Sequence, residues 1–497
     1  MKDYLFLRAV AALLTAAALV LTASCGEKPA TPSAGNDGDA VTVTEAVTEA
    51  APATDEWGRD LVETSLPADL RYDGRDFNML IRETREWEFT AEELNGDILN
   101  DANYLRNLAV EERMGIRLHY ILAPVNDQMT IYKASIMAGD NAYDCGTIKC
   151  YDTAMNMTAG YFLNLHEFPY VDAGKPWWSS SFIDEMTVND HLYALVGSMH
   201  VQAMSGSYCM YADLDMLRDY RSEVDMYDLV YSGGWTIDAL RGIVTGFYSD
   251  LNGDNAHDKG DLYGYGSSVS SFVDAYTYTC ADPVTVKDAD GRPVLNFGGE
   301  RTVDTVNKVY DLLFATDGAI GGEYTAESHQ QMIAKFKNNE LCFFHCLMEF
   351  AEQLRDFDDE YGIFPIPKLR EEDEYITTAQ DGISITSVPV TCPDPEFVGA
   401  VLEAMSEQSW RDLVPAYFEV VMKDKYLRSN EAARMYDLIR ESLSFNFGFV
   451  VTGVTGIAGS IRTLLNKRSN DFASMWAANR TTAETKLNAF IDGFYAE

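Results

Sequence analysis

Between Asp250 and Asp261 the chain reads DLNGDNAHDKGD, with oxygen-bearing side chains at the first, third, fifth, ninth and twelfth positions: Asp250, Asn252, Asp254, Asp258 and Asp261. Ala256, at the seventh, can offer its backbone carbonyl. A hard cation needs six or more oxygens wrapped around it within one turn of chain, and this spacing supplies them to calcium. Asn255 stands at the sixth position, where glycine is usual, and tolerates a left-handed backbone better than most residues. Asp261 replaces the longer, bidentate glutamate. The expectation is a structural calcium ion pinning a surface loop; a solvated acidic turn is the competing reading.

Other chemistries are less well provided for. The seven histidines are scattered and none falls in an HExxH pair, which argues against a zinc hydrolase. No GxSxG elbow is present for a serine hydrolase. In CFFHC, Cys342 and Cys346 share one face of a strand while His345 takes the other, so the three cannot meet on one ion and read as buried packing. Glycoside hydrolysis needs only two carboxylates, and among 78 acidic residues no pair stands out. The expectation is a protein without catalytic residues.

The elements that would carry these residues begin past Tyr72. Phe77 to Ile81 (FNMLI) reads as a buried strand. Ile98 to Met114 has apolar residues at helical spacing and is stopped by Gly115, and Arg117 to Leu122 (RLHYIL) reads as a second strand. That is a βαβ unit, the building block of a parallel sheet with helices on its faces. A helix over Asp127 to Met137, closed by Gly139, leads to a strand at Cys145 to Ile148. Further helices are expected at 213–219, 236–246, 302–315, 327–337, 395–406, 431–443 and 482–495, and strands at 294–297, 340–345, 362–366 and 383–386. No tandem repeat of fixed period is present, which excludes solenoids and propellers.

Length and composition bound the class. A chain of 497 residues has a prior of about three domains. At 47% apolar, 12% aromatic and 23% charged residues it is neither disordered, collagenous nor polytopic in a membrane. Lys and Arg number 38 against 78 Asp and Glu, a formal charge of −40. Nucleic acid and anionic membrane surfaces are therefore poor partners for the body. The eight cysteines form no paired CxxC spacings.

The N-terminus is built for export. Lys2 and Arg8 precede an uncharged apolar run from Ala9 to Ala23, about 15 residues, which is short for a bilayer span. Residues 1–24 are expected to be a cleaved signal peptide. Ala23 and Ser24 lead into Cys25, which resembles the lipobox of bacterial lipoproteins, where the cysteine is lipidated; Thr22 stands where leucine is usual, with Leu21 one place earlier. Residues 25–71 then read as a lipidated cysteine and flexible tether, in which Gly26 to Leu70 carries ten acidic residues against Lys28 and Arg59. With Cys25 lipidated, seven cysteines remain, so at least one stays a free thiol.

Lipobox and tether, FNMLI, a helix, RLHYIL, then MAGDNAYDCGTIKCYD, NDHLYALVGSM and FKNNELCFFHC follow one another in an order that resembles the extracellular solute-binding proteins of ABC importers, of the family-1, maltodextrin-binding-like type. The likeness spans roughly residues 72 to 497. It implies an α/β, type II periplasmic-binding-protein-like fold: two interleaved lobes, 72–198 plus 382–428 and 199–381 plus 429–497, with a hinge and a ligand cleft. It implies a monomer, tethered outside the cytoplasm, that closes on a mono- or oligosaccharide and delivers it to ABC permease subunits. A surface polysaccharide-binding or glycan-degrading lipoprotein without a permease, and a peptide receptor, are the alternatives. Matched segment by segment, the resemblance puts Lys149, Tyr151 and Asp152 at the cleft edge. Ser267, Phe272 and Tyr276, then Phe344 and His345, then Phe445 and Phe447 come from later segments. The Tyr263–Gly264 ending after Asp261 also looks like the shorter calcium loops of dockerins and of many solute-binding proteins.

Overall fold

The computed structural model describes residues 58–269, 271–322, 328–417 and 430–496. The signal segment, Cys25 and most of the tether lie outside them. Asp55–Glu497 forms one compact unit.

The first sheet is assembled as the periodicity predicts. Strand β1 (Arg75–Arg82) pairs in parallel with β2 (Ile116–Ala123) on one side and β3 (Cys145–Lys149) on the other. Helix α1 (Ile98–Met114) connects β1 to β2. Asp97 caps its start by accepting from the amides of Leu99 and Asn100, and Gly115 ends it in the left-handed conformation at φ 64°. Helix α2 (Gln128–Ala138) links β2 to β3 and ends the same way at Gly139. Phe77, Met79 and Ile81 are fully buried, and Phe77 meets Phe397 of α3 (Pro395–Gln408) edge-on at 5.8 Å.

The second sheet is larger and holds β4 (Tyr208–Asp213), β5 (Tyr248–Ser249) and β6 (Leu262–Ser268). A separate hairpin, β7 (Thr285–Lys287) with β8 (Pro293–Leu295), interrupts it before β9 (Ala319–Gly322), β10 (Leu341–Leu347) and β11 (Tyr361–Phe364). Its order is β11-β4-β10-β6-β5, with β9 also paired to β6. Strand β12 (Ser384–Ser387) then returns to the first sheet, antiparallel to β3. Helices α4 (Ala458–Asn466) and α5 (Phe472–Asp492) close the chain.

Strands β4 and β6 are absent from the sequence-based expectation, for a physical reason. β6 reads LYGYGSS, and its glycines look like a loop. They are there because neighbours press on the strand. A Cβ on Gly264 would lie 2.8 Å from Val244 Cβ, and one on Gly266 would lie 2.7 Å from Met332 Sδ. β4 is buried along its whole length on both faces, so it shows no polar alternation. The last helix also starts ten residues before the expected 482, at Phe472, where Asp471 caps it.

The end of the expected tether belongs to the body. Arg411 donates to the carbonyls of Arg59 and Val62, both at 2.6 Å. Ser65 donates to Glu403, and Thr64 donates to Glu407 at 2.6 Å. Glu403, fully buried on α3, also accepts from the indoles of Trp177 at 3.0 Å and Trp178 at 2.7 Å. One carboxylate thus fixes two tryptophans and the incoming chain, and the packed body includes Arg59 to Leu66.

The glycines give a test of packing. Gly266→Ala should lose about 1–3 kcal/mol of stability through overpacking. Gly242→Ala, in the helix Ile237–Val244 with nothing within 4 Å of the added Cβ, should gain up to about 1 kcal/mol. Urea midpoints of the two variants would show opposite signs.

Candidate functional site

The two sheets are joined where three crossing segments run side by side. Gln380 donates its amide to Gly206 O at 3.0 Å and Tyr208 to Thr378 O at 3.1 Å, joining the first crossing to the second. Thr377 donates to Ser442 O at 3.0 Å, and Ser444 to Thr377 O at 2.9 Å, joining the second to the third. The carboxyl ends of the parallel strands of the first sheet meet this ladder. Cys150 donates to Ile383 O at 2.7 Å and Tyr151 to Asp381 O at 3.0 Å, so the backbone itself sets Lys149, Tyr151 and Asp152 beside Asp381. Binding crevices of open α/β sheets form at such strand ends, where the order of strands reverses.

Charge is concentrated here. Burial raises the Asp381 carboxyl, with Lys149 opposing and Asp152 adding to the effect. Asp381 in turn raises the phenols of Tyr208 and Tyr278, which burial has already pushed up. The Tyr278 ring stacks on Phe449 with centroids 3.5 Å apart. Arg462 forms a two-pronged ion pair with Asp274 and lies close enough to Tyr208 to lower its phenol. The Lys149 ammonium stands 5.4 Å from the Tyr151 ring, and that ring rests on Gly453, where a Cβ would come within 2.8 Å of it.

A second group sits at the end of β1. Arg82, buried, donates to Gln202 Oε1 at 2.7 Å and to Ser384 Oγ at 3.1 Å, so it touches both the first crossing and β12. Glu88, also buried, accepts from the Gln202 amide at 3.2 Å and Ser384 Oγ at 3.4 Å. Desolvation dominates both: Arg82 is brought down to about 10 and Glu88 pushed up to about 7, although each partly offsets the other. Arg82 Nε and Gln202 Nε2 have no partner, leaving two buried donors at this strand end. Arg85 pairs with Glu349 at 3.0 Å, linking the segment after β1 to the segment after β10.

The structure thus groups Lys149, Tyr151 and Asp152 with residues the sequence did not single out: Arg82, Tyr208, Tyr278, Asp381 and Arg462. It places the other expected ligand residues inside the protein, Phe445 also lining a cavity of about 700 Å³ with Tyr278 and Phe449. Phe344 stacks on Tyr211 with centroids 4.8 Å apart, and Phe447 packs on Phe490 and Phe494. Phe445 meets Phe182 edge-on behind the crossings. Ser267 is buried on β6. Phe272 packs on Phe350 and His329. His345 is satisfied at both nitrogens. Its Nε2 reaches the Phe272 carbonyl at 3.0 Å and must donate, so Nδ1 accepts from Tyr265 OH at 2.8 Å, which accepts in turn from Tyr276 OH at 2.8 Å. Burial lowers the imidazole to about 4, so it stays neutral in this chain of hydrogen bonds.

In the acidic loop, the side-chain oxygens cap backbone amides. Asp250 accepts from Gly253 and Asn255, Asn252 from Asp254, Asp254 from Ala256, and Asp258 from Gly260. Asp261 is buried and accepts from Tyr248 OH at 2.9 Å and from the amides of Leu251 and Asp258. Beneath it, Lys335 donates to the carbonyls of Lys259 and Asp261. Among the described residues, no three His, Cys, Asp or Glu side chains are gathered closely enough to hold a metal ion.

The fold is that of known solute-binding proteins. An extracellular solute-binding protein from Staphylococcus aureus, solved in complex with maltose, superimposes with a TM-score of 0.53 at 10% identity over 86% of this chain and 98% of its own. The galacto-N-biose-/lacto-N-biose I-binding protein of the ABC transporter from Bifidobacterium longum, in complex with lacto-N-biose, gives 0.52 at 10% identity over 86% and 98%. The GacH receptor of Streptomyces glaucescens, solved unliganded and with acarbose, gives 0.51 at 12% identity over 85% and 99%. No family model matches the sequence, and no curated protein matches it.

Glu88 provides a pH test. Folded, it holds its proton to about pH 7, whereas the unfolded carboxyl releases it near 4.5, so its contribution to stability is complete below the lower value and lost as pH rises through the upper one. Glu88→Gln should flatten that part of the pH dependence of stability, measured by urea denaturation from pH 4 to 8; parallel profiles would show that Glu88 does not titrate differently on folding.

Proposed function

We propose that the protein is the substrate-capturing component of an ABC importer, taking up a mono- or oligosaccharide by hinge closure without chemical turnover. The observation that carries this reading is the origin of the grouped side chains. Arg82, Lys149, Tyr151 and Asp152 come from the first sheet, Tyr208, Tyr278 and Arg462 from the second sheet and its helices, and Asp381 from a crossing. A ligand that touches both sets gains its full contact energy only when the lobes approach, so binding favours the closed population. Aromatic faces, carboxylates and cations side by side suit the apolar faces and hydroxyl edges of sugars. The fold shared with receptors solved bound to maltose and lacto-N-biose supports the same ligand class.

In this reading the first lobe comprises 72–198 plus 382–428 and the second 199–381 plus 429–497. Residues 1–24 are removed, Cys25 carries the lipid anchor, and the tether holds a monomeric body outside the cytoplasm within reach of permease subunits. Calcium is proposed as a structural ion at Asp250, Asn252, Asp254, Ala256, Asp258 and Asp261. A carboxylate has about four lone-pair sites, so accepting a backbone amide leaves capacity for a cation, which would draw the oxygens inward.

A ligand that binds only the native state must raise the thermal midpoint. The full chain is expected to be stabilised by at least one mono- or oligosaccharide, and Tyr151→Ala should remove most of the shift. Shifts from peptides alone would replace the carbohydrate assignment, and release of cleaved glycan would replace the transport role. Calcium added after chelation should raise the midpoint, and Asp254→Ala should abolish that gain; an indifferent midpoint returns the loop to a solvated turn.

A further inference from the structure

A cavity of about 1060 Å³ in the second lobe has a charge opposite to that of the chain as a whole. It lies along α4 and α5 and reaches Val269, just past β6, and Gly321 on β9. Four of its described lining residues, Arg462, Lys467, Arg468 and Lys486, are cationic, and none is Asp or Glu. Yet acidic residues outnumber basic ones by 78 to 38 in the chain. The excess of cations is therefore local, and it coincides with a concavity.

These cations are also available. Lys467, Arg468 and Lys486 are exposed, and among the described residues neither lysine has a carboxylate in ion-pair range. Arg468 lies over the Phe314 ring at 5.5 Å, which holds its guanidinium on the cavity wall. Arg462 is already paired with Asp274 and is the lining residue that the cavity shares with the side chains grouped in the candidate site. Like charges gathered in a concave, partly apolar site focus a positive potential, and an anion entering it relieves their mutual repulsion. The volume is at the upper end of the range for pockets that enclose small ligands, and Phe314, Met475 and Trp476 add apolar wall.

We infer that this cavity extends the saccharide site and selects an anionic oligosaccharide, with carboxylate or sulfate groups meeting Lys467, Arg468 and Lys486. The inference rests on the saccharide-receptor reading and adds the charge of the ligand to it. Calorimetric titration of the full chain with oligogalacturonate, a sulfated oligosaccharide, maltotriose and inorganic sulfate tests it. At least one anionic oligosaccharide should bind more tightly than maltotriose, weaken as salt is raised from 0.05 to 0.5 M, and lose about tenfold in affinity in the exposed double variant Lys467→Glu/Lys486→Glu. Maltotriose binding equally well, or anionic binding indifferent to the double variant and to salt, overturns the inference and leaves the receptor reading standing. Inorganic sulfate binding as tightly as the oligosaccharides overturns the saccharide class of this cavity. Failure of every saccharide to bind overturns both. If the double variant does not fold, the salt dependence and the neutral comparison still decide.

Discussion

The constraint on which the rest depends is the backbone ladder that binds three crossing segments to one another. Gly206, Tyr208, Thr377, Thr378, Gln380, Ser442 and Ser444 exchange main-chain hydrogen bonds between segments far apart in sequence. Each bond satisfies a polar group that would otherwise be stranded between two apolar cores, so the crossings cannot separate without leaving buried donors unpaired. The ladder also sets where function can be. The chain ends of β1 and β3 abut it, so the side chains that follow those strands are delivered to one place whatever their own preferences.

Charge burial at this junction costs stability, and the structure accepts the cost. Arg82, Glu88 and Arg106 are all buried, and Arg106 is spent on the carbonyls of Glu88 and Phe89. Apolar side chains of similar volume would often be at least as stable. What the polar set provides is direction: Arg82 can reach Gln202 and Ser384 together only if the first crossing and β12 are both in register with β1. The two cores, by contrast, are filled by aromatic and aliphatic side chains, such as the Tyr211 and Phe344 stack and the Trp235 and Phe343 stack.

Local signals made the first sheet legible. The apolar run, the cap at Asp97 and the glycine stops at Gly115 and Gly139 are short-range features, and α1 occupies the span its periodicity predicts. Strands β4 and β6 were hidden because their sequences answer to neighbours rather than to solvent, with Gly264 and Gly266 shaped by Val244 and Met332. The site was partly legible for the same reason. Lys149, Tyr151 and Asp152 follow a recognisable strand. Asp381, Tyr208 and Arg462 become neighbours only through the crossings, and no spacing along the chain records that. Aromatic residues carry no such signal of their surroundings: Phe344 and Phe447 are buried in the cores, while Tyr278, two residues beyond the expected Tyr276, faces Phe449.

The strap formed by Arg59, Val62, Thr64 and Ser65 has a mechanical meaning. Its partners, Glu403, Glu407 and Arg411, all belong to α3 and the π-helical stretch Ser409–Leu413 that continues it, and Glu403 is anchored through two indoles to the first core. A pull on the chain ahead of Gly58 is therefore borne as shear across several charged hydrogen bonds on one lobe. The load enters through that lobe alone, apart from the three-stranded ladder, which carries only what is needed to draw the second sheet along.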